Sequence, residues 1–400
     1  MNSSTDPAVQ SGQAVAAPRA DPSEDKLDYI DAVRGWAILL VITCHVGGQF
    51  AQMPYPVKLL TNSGGHGVQL FFLASAITLM MSWSRQTRPF PTATRTFFIR
   101  RFLRIAPMYY LGALIYFYLR PPSGGFDPGQ LARSLLFINA WHPAWIPTTG
   151  GWMVVPGGWS IGVEFTFYAV FPVLAIVMTT LPRALALSAA AVVLACVANA
   201  LALKGLADYP PLAVDGFLYF WFPNQLIVFA LGIVLFHVLA RLKVRRPGKR
   251  LTYGLLAGLG GLALVLSQRV ASPSYLISPL TLPTMLLMVF VFVGFILVLA
   301  KGAGTVFSHR WLCGLGRLSF SAYVLHFMVI QAVSASGMVD IGATGYRAIG
   351  WLVVHWSVTM IGTLIVAAIA HKLIEQPGMA LAKGLTRARG KPLPVAAAAE

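Results

Sequence analysis

Charged residues are scarce in this chain of 400 residues. Only 11% of the residues are charged, and only 13 are Asp or Glu. A soluble domain usually has about 25% charged residues. The mean hydropathy is +0.70. This composition excludes an ordinary soluble enzyme, and it equally excludes a disordered or collagen-like chain.

Cysteine is also scarce. The three cysteines (Cys44, Cys196 and Cys313) cannot build a disulfide framework, and each lies in or beside an apolar segment. We interpret them as small residues that pack between helices.

Both ends of the chain lack apolar runs. Residues 1–27 are rich in Ala, Ser, Pro and Asp, without the basic start and apolar core of a signal peptide. Residues 381–400 end in an alanine-rich stretch. We expect both ends to be disordered cytoplasmic tails around a membrane domain at 28–380. No internal repeat of fixed period is evident.

Apolar runs of membrane-spanning length are abundant, since a spanning helix needs about 20 mostly apolar residues. The runs are continuous rather than alternating, which favours helices over the strands of a membrane barrel. The sequence therefore predicts an all-α polytopic membrane bundle of about ten transmembrane helices. The predicted spans are 34–51, 67–84, 104–119, 159–180, 184–203, 218–239, 252–268, 280–300, 318–336 and 350–371.

The positive charges indicate the orientation of these spans. The loop at 85–104 holds six arginines and no acid, and the loop at 241–250 holds six Lys or Arg residues and no acid. Basic loops stay in the cytoplasm, so both termini are predicted inside. The net charge of +17 then indicates a face that binds anionic lipids. Nucleic acid is not expected as a partner, because no binding module accompanies the charge.

Ionisable residues inside the spans are rare, and each is a functional hypothesis by default. His45 follows Arg34 by eleven residues, so both side chains fall on one stripe of the first helix, about 16 Å apart. His45 is therefore expected near mid-membrane, where a neutral imidazole can act as a general base. The alternative is a hydrogen bond to a neighbouring helix.

Glu164 lies about 8 Å below the outer boundary of the fourth span. We expect it to face a common cavity with His45; the alternative is a structural carboxylate. Ser75 lies near mid-membrane, where hydroxyl residues also pack helices. Arg101 and Arg104 lie at the inner mouth of the third span, either as membrane anchors or as a clamp for phosphates.

Six segments, taken together and in order, resemble the acyltransferase 3 family of integral membrane O-acyltransferases over about residues 27–380. The first contains Arg34, and His45 completes the family's Arg-x10-His signature on the first helix. The segments are LDYIDAVRGWA (27–37), GVQLFFLAS (67–75), FIRRFLRIAPMY (98–109), WSIGVEFTFY (159–168), GRLSFSAYVLH (316–326) and IEQP (374–377).

The resemblance implies an enzyme of the cell membrane, in bacteria the inner membrane, that takes an acyl group from cytoplasmic acyl-CoA. The acyl group is usually acetyl, and the acceptor is commonly a hydroxyl of a carbohydrate or lipid-linked glycan. No metal is expected. The resemblance leaves open whether the protein forms a homodimer. By the resemblance His45 and Arg34 are the catalytic pair, Arg101 and Arg104 belong to the acyl-CoA side, and Glu164 and Trp159 match positions tied to activity. With the neighbouring polar residues added, the predicted site has three groups: His45, Arg34 and Glu164 as catalytic; Arg100, Arg101, Arg104 and Ser75 for acyl-CoA; and Trp159, Tyr168, Ser319, Tyr323 and His326 for the acceptor.

The residues leave the role of His45 open between a general base and a transient acyl carrier. Two other protein classes compete with this interpretation. A transporter or flippase also has basic inner loops, but it often shows inverted repeats, which are not seen here. A separate superfamily of membrane O-acyltransferases uses a histidine late in the chain, where His326 and His355 lie. The early Arg34–His45 signature argues against it.

Overall fold

The structure of the chain is a computed structural model. It describes residues 25–122, 125–142, 145, 152–242, 247–270, 276–277, 282–301 and 306–387. Most of the predicted N-terminal tail, and the part of the C-terminal tail after residue 387, lie outside the described residues.

The described part of the chain contains fifteen α-helices and one two-residue antiparallel strand pair. The strands are β1 (Leu276–Ile277) and β2 (Leu282–Pro283), with Leu276 opposite Pro283 and Ile277 opposite Leu282. The helices are α1 (Asp25–Gly47), α2 (Tyr55–Ser63), α3 (Gly67–Ser84), α4 (Phe90–Leu119), α5 (Pro128–Leu135), α6 (Gly158–Val177), α7 (Leu181–Gly205), α8 (Pro211–Phe220), α9 (Phe222–Arg241), α10 (Lys249–Val270), α11 (Met285–Lys301), α12 (Arg310–Arg317), α13 (Ser319–Ala335), α14 (Gly345–Ala370) and α15 (Gln376–Thr386).

The helices confirm the predicted all-α polytopic membrane class. In the described part of the chain, eight helical segments are long and apolar enough to cross a membrane. The number is nine if Met285–Lys301 and Val306–Arg317, whose axes differ by 90°, form one span. A helix fills most of each of the ten predicted segments, although α13 has only 17 residues. The count of ten spans and the orientation of the termini stay predictions.

Helix α1 lies at the centre of the bundle, against α3, α12, α13 and α14. Small residues make this close packing possible, because a glycine lets two backbones approach. A Cβ at Gly316 of α12 would overlap the carbonyl oxygen of Asp31, and one at Gly35 would overlap that of Leu312. The crossing of α1 and α12 therefore depends on glycine from both helices.

We expect Gly316→Ala to destabilise the protein by about 1–3 kcal/mol, because the new methyl group meets backbone that cannot move aside. Thermal unfolding in detergent measures the effect as a lower Tm. Gly258→Ala is the matched control, since a Cβ at this helical position has nothing within 4 Å. Equal melting temperatures for Gly316→Ala and wild type would show that α1 and α12 do not pack this closely.

The last helices continue beyond the predicted domain boundary. After α14 the segment His371–Glu375 forms a turn of π-helix, and α15 carries the chain to Thr386. Residues 381–386 are thus helical, six residues past the boundary expected at 380. They stay ordered because α15 packs on α4, where Gly378 lies against the backbone of Leu103.

Candidate active site: a histidine pair between two cavities

A cavity of about 570 Å³ opens at the end of the bundle where α1 ends and α3 and α6 begin. We call this the outer end, after the predicted orientation, and the cavity the outer cavity. His45 lines it from the last turn of α1, with Val41 one turn earlier. Aromatic residues dominate the rest of its wall, together with the polar Gln130, Ser134 and Asn139. These aromatic residues are Trp145, Trp159, Tyr219, Phe220, Tyr323 and Phe327.

His45 forms a hydrogen bond with His326, which lies 281 residues later on α13. The Nδ1 atom of His45 is 2.8 Å from the Nε2 atom of His326. The two rings are nearly parallel, with an interplanar angle of 25°, and their centroids are 5.0 Å apart. His326 is fully buried, and its Nδ1 atom faces the carbonyl oxygens of Tyr323 at 2.8 Å and Ala322 at 3.2 Å.

A second, narrower cavity of about 50 Å³ lies deeper in the bundle, and we call it the inner cavity. Arg34 lines it, with Ser75 from α3, Glu164 from α6 and Ser319 from α13. Tyr323 borders both cavities. Because Arg34 and His45 share one stripe of α1, the two cavities follow each other along this helix.

The carboxylate of Glu164 accepts two short hydrogen bonds. The Ser75 hydroxyl donates to its Oε1 atom at 2.6 Å, and the Tyr168 hydroxyl donates to the same atom at 2.6 Å. Ser160, Glu164 and Tyr168 are spaced by four residues, so they form one polar stripe on α6. These two hydrogen bonds therefore fix the position of the Glu164 carboxylate, and Glu164 lines the inner cavity.

Arginines surround this carboxylate. Arg34 and Arg101 both interact electrostatically with Glu164 and with Arg104. Asp31 also interacts with Arg34 and Arg104, and it pairs with Arg317 at 3.8 Å. The cluster thus holds more guanidinium than carboxylate charge.

Arg101 has a buried donor atom that is unused within the described part of the chain. Its Nε atom is buried and has no hydrogen-bond partner among the described residues. Its guanidinium lies 5.8 Å from the Phe97 ring centroid and 6.0 Å from that of Tyr168. A buried donor without a partner is costly, so this atom is a place where a ligand can bind.

Arg100 does not share this environment. It is exposed, and its Nε atom donates to the Thr386 hydroxyl at 3.0 Å. Arg88 donates to the Thr386 carbonyl oxygen at 2.9 Å. Helical geometry explains the difference, because neighbouring positions are turned by 100°. Arg100 therefore contacts α15, and its place in an acyl-CoA site stays a prediction.

His45 and Glu164 do not line a common cavity, contrary to the prediction. Trp159 lines the outer cavity, but Glu164 follows it by five residues, which turns the side chain by about 140° and places it deeper. Tyr168 and Ser319 are both predicted at an acceptor site. Tyr168 instead donates a hydrogen bond to Glu164, and Ser319 lines the inner cavity. Trp159 and Tyr323 line the outer cavity. His326 contacts His45 rather than the cavity.

Sequence reasoning missed several residues of this region. Gln130 lines the outer cavity from α5, Asn139 from the segment after α5, and Tyr219 from α8. The long polar and aromatic stretch between α4 and α6 was the available signal.

Glu375 is a buried acid, with only 2% of the residue exposed. It accepts a hydrogen bond from Ser321 and pairs with His371 at 3.2 Å. The hydrogen bond from Ser321 connects the π-helical turn to α13.

In the described ranges, no group of three or more His, Cys, Asp or Glu residues could hold a metal ion. The expectation that the site needs no metal stays a prediction.

The fold and the site define a multi-pass helical membrane protein in which a histidine lines an outer cavity rich in aromatic residues, and an arginine and a glutamate line a deeper cavity. The sequence pattern of the acyltransferase 3 family, described as an acyltransferase domain, matches residues 27–372. The chain belongs to this family, and it is a membrane acyltransferase.

Two curated relatives are similar along most of their length. Acyltransferase MdmB of Streptomyces mycarofaciens is 28% identical over 389 residues, which cover 90% of this chain and 93% of the relative. Nodulation protein 10 of Rhizobium leguminosarum bv. viciae is 27% identical over 340 residues, covering 81% and 84%. No solved structure is significantly similar to the chain.

Proposed function

We propose that the protein transfers an acyl group, acetyl in the first instance, from acyl-CoA to a hydroxyl of a carbohydrate or lipid-linked glycan. The observation that carries this proposal is the order of the two cavities along α1. Arg34 marks the basic inner cavity and His45 the outer cavity. An anionic donor from one side and a hydroxyl acceptor from the other can meet at His45. The membrane would be the cell membrane, and in bacteria the inner one.

The charge around the inner cavity suits the donor. Coenzyme A carries a pyrophosphate and a 3′-phosphate, and arginine binds phosphates through paired, directed hydrogen bonds. Arg34 and Arg101 interact electrostatically with Glu164 and with Arg104, and the cluster holds more arginines than carboxylates. Arg101 also has an unpaired Nε donor. These arginines would hold the phosphates while the thioester reaches towards His45.

The outer cavity suits the acceptor. Its volume of about 570 Å³ lies within the range of about 300–1,000 Å³ usual for small-molecule sites. Trp159 and Tyr219 offer ring surfaces to the apolar face of a sugar, and Asn139 and Gln130 offer hydrogen bonds to its hydroxyls. The cavity can therefore hold a sugar unit with one hydroxyl near His45.

The reaction at His45 is a proton-coupled acyl transfer. The Nε2 atom of His45 accepts the proton of the acceptor hydroxyl as its oxygen attacks the thioester carbonyl. A carbon–oxygen bond forms, the carbon–sulfur bond breaks, and the thiolate takes the proton back from His45. The products are the ester and free coenzyme A, so atoms and charge balance.

Release of coenzyme A thiol tests the proposal directly. Purified protein in nanodiscs is given acetyl-CoA, then propionyl-CoA, with a panel of mono- and oligosaccharides and membrane glycolipid extract. We expect thiol release that rises with one class of hydroxyl acceptor. A folded protein that neither binds nor cleaves any acyl-CoA with any of these acceptors would contradict the proposal.

Trp159→Ala separates the acceptor site from the donor site. Truncating a buried aromatic anchor commonly costs about 2 kcal/mol or more, so the KM for the acceptor should rise at least about tenfold. The KM for acetyl-CoA should stay unchanged, because the arginine cluster is intact. Trp311→Ala is the control, since Trp311 is 52% exposed on α12. A rise in the KM for acetyl-CoA alone would contradict the assignment of the outer cavity.

A further inference from the structure

The hydrogen bond between His45 and His326 indicates a function for His326 that the burial of this residue alone does not indicate. The inference rests on the proposed function, because it concerns the state of the histidine that would act on the acceptor. His45 lines the outer cavity, whereas His326 is fully buried behind it. The 2.8 Å contact joins the Nδ1 atom of His45 to the Nε2 atom of His326.

The proton positions in this pair follow from the acceptors behind it. The Nδ1 atom of His326 faces the carbonyl oxygens of Tyr323 and Ala322. A carbonyl oxygen only accepts hydrogen bonds, so Nδ1 of His326 carries a hydrogen. In a neutral imidazole the other nitrogen is then an acceptor. Nε2 of His326 therefore accepts, and Nδ1 of His45 is the donor.

The same reasoning fixes the free nitrogen of His45. With its hydrogen on Nδ1, the neutral His45 ring has an unprotonated Nε2. This atom has no hydrogen-bond partner among the described residues, and it is not enclosed, since His45 borders the outer cavity. The nitrogen that a general base needs is thus unprotonated on a residue that lines the space where an acceptor hydroxyl would lie.

We propose that His326 is a positioning residue that holds His45 as the Nδ1–H tautomer and so keeps its Nε2 atom available as the base. Phe327 assists by packing on both imidazoles, with ring centroids 4.3 Å from His45 and 4.2 Å from His326. The backbone of α13 thereby sets the protonation pattern of a residue on α1. When His45 takes up the acceptor proton, the Nε2 atom of His326 still accepts from its Nδ1–H.

Two substitutions at His326 distinguish this role from simple helix packing. His326→Leu fills the space but removes the acceptor, so we expect kcat to fall about tenfold to a hundredfold, as for other partners that orient a functional histidine. The KM for acetyl-CoA should stay within about twofold. His326→Gln can place its amide oxygen near the former Nε2 position, and we expect it to recover most of kcat.

His355→Leu is the matched control. His355 is also a fully buried histidine, but it pairs with Ser334 on the neighbouring helix and not with His45. We expect the kcat of the His355→Leu variant to stay near the wild-type value. Equal losses in His355→Leu, His326→Leu and His326→Gln would mean that only packing was disturbed, and would overturn the proposal.

Nitrogen-15 NMR of ring-labelled histidine in proteoliposomes reads the tautomer without any turnover. Comparison with His45→Ala assigns the His45 signals among the eight histidines of the chain. We expect a protonated Nδ1 and a bare Nε2 in wild type, and a shift towards the Nε2–H form in His326→Leu. A protonated Nε2 in wild type would overturn the proposal. If the protein shows the expected tautomer of His45 but transfers no acyl group, the result would support the His45–His326 pair and overturn only the proposed function.

Discussion

Replacing His45 with asparagine is expected to lower kcat for acyl transfer by about a hundredfold to ten-thousandfold, the usual contribution of a general base. Asparagine is chosen because its side-chain amide can still donate to the Nε2 atom of His326, as Nδ1 of His45 does at 2.8 Å. The helix contact therefore survives while the proton acceptor is lost. Thiol release under saturating acetyl-CoA measures the effect.

The KM for acetyl-CoA should change little in His45→Asn, because Arg34 still lines the inner cavity and the other arginines of the cluster are unchanged. A kcat within threefold of wild type would remove His45 from the chemistry. A loss of kcat accompanied by a lower Tm would instead indicate a folding defect, so the melting temperature of the variant is the necessary control.

Replacing Arg101 with methionine is expected to raise the KM for acetyl-CoA by about tenfold to a hundredfold. A hydrogen bond to a charged group contributes about 1.5–3 kcal/mol, and each tenfold change corresponds to about 1.4 kcal/mol. Methionine keeps the apolar stem against Phe97, which packs beside the guanidinium. S-acetylpantetheine, which lacks the phosphates, should bind wild type and variant equally.

Arg95→Met is the matched control for this change. It removes the same charge from the same helix, α4, at an exposed position. An equal rise of KM in both variants would show that only the general charge of the inner face attracts the donor. A rise for S-acetylpantetheine as large as that for acetyl-CoA would show that Arg101 does not bind a phosphate.

Much of the fold follows from the sequence because a membrane helix leaves a one-dimensional signal. Apolar runs of spanning length mark the helices. The eleven-residue interval from Arg34 to His45 returns to the same side of α1 after three turns. Local sequence therefore predicts what lies on one helix, and on which side of it.

Contacts between helices do not leave such a signal. His45 and His326 are separated by 281 residues, and nothing in their local sequence specifies that the two rings meet. Tyr168 was expected at the acceptor, but its hydroxyl bonds Glu164 because α6 is turned so that this stripe faces the arginines. The rotation of each helix about its axis depends on packing, which the spacing of residues does not fix.

The transfer of label from the donor to the acceptor tests the central claim most directly. Wild-type protein and His45→Asn, in proteoliposomes with a hydroxyl acceptor, are given acetyl-CoA labelled in the acetyl group. We predict that the wild type places the label in an alkali-labile ester on the acceptor and releases one thiol for each ester, while His45→Asn does neither. Label that stays in acetyl-CoA with wild type, or equal ester formation by His45→Asn, would contradict the account.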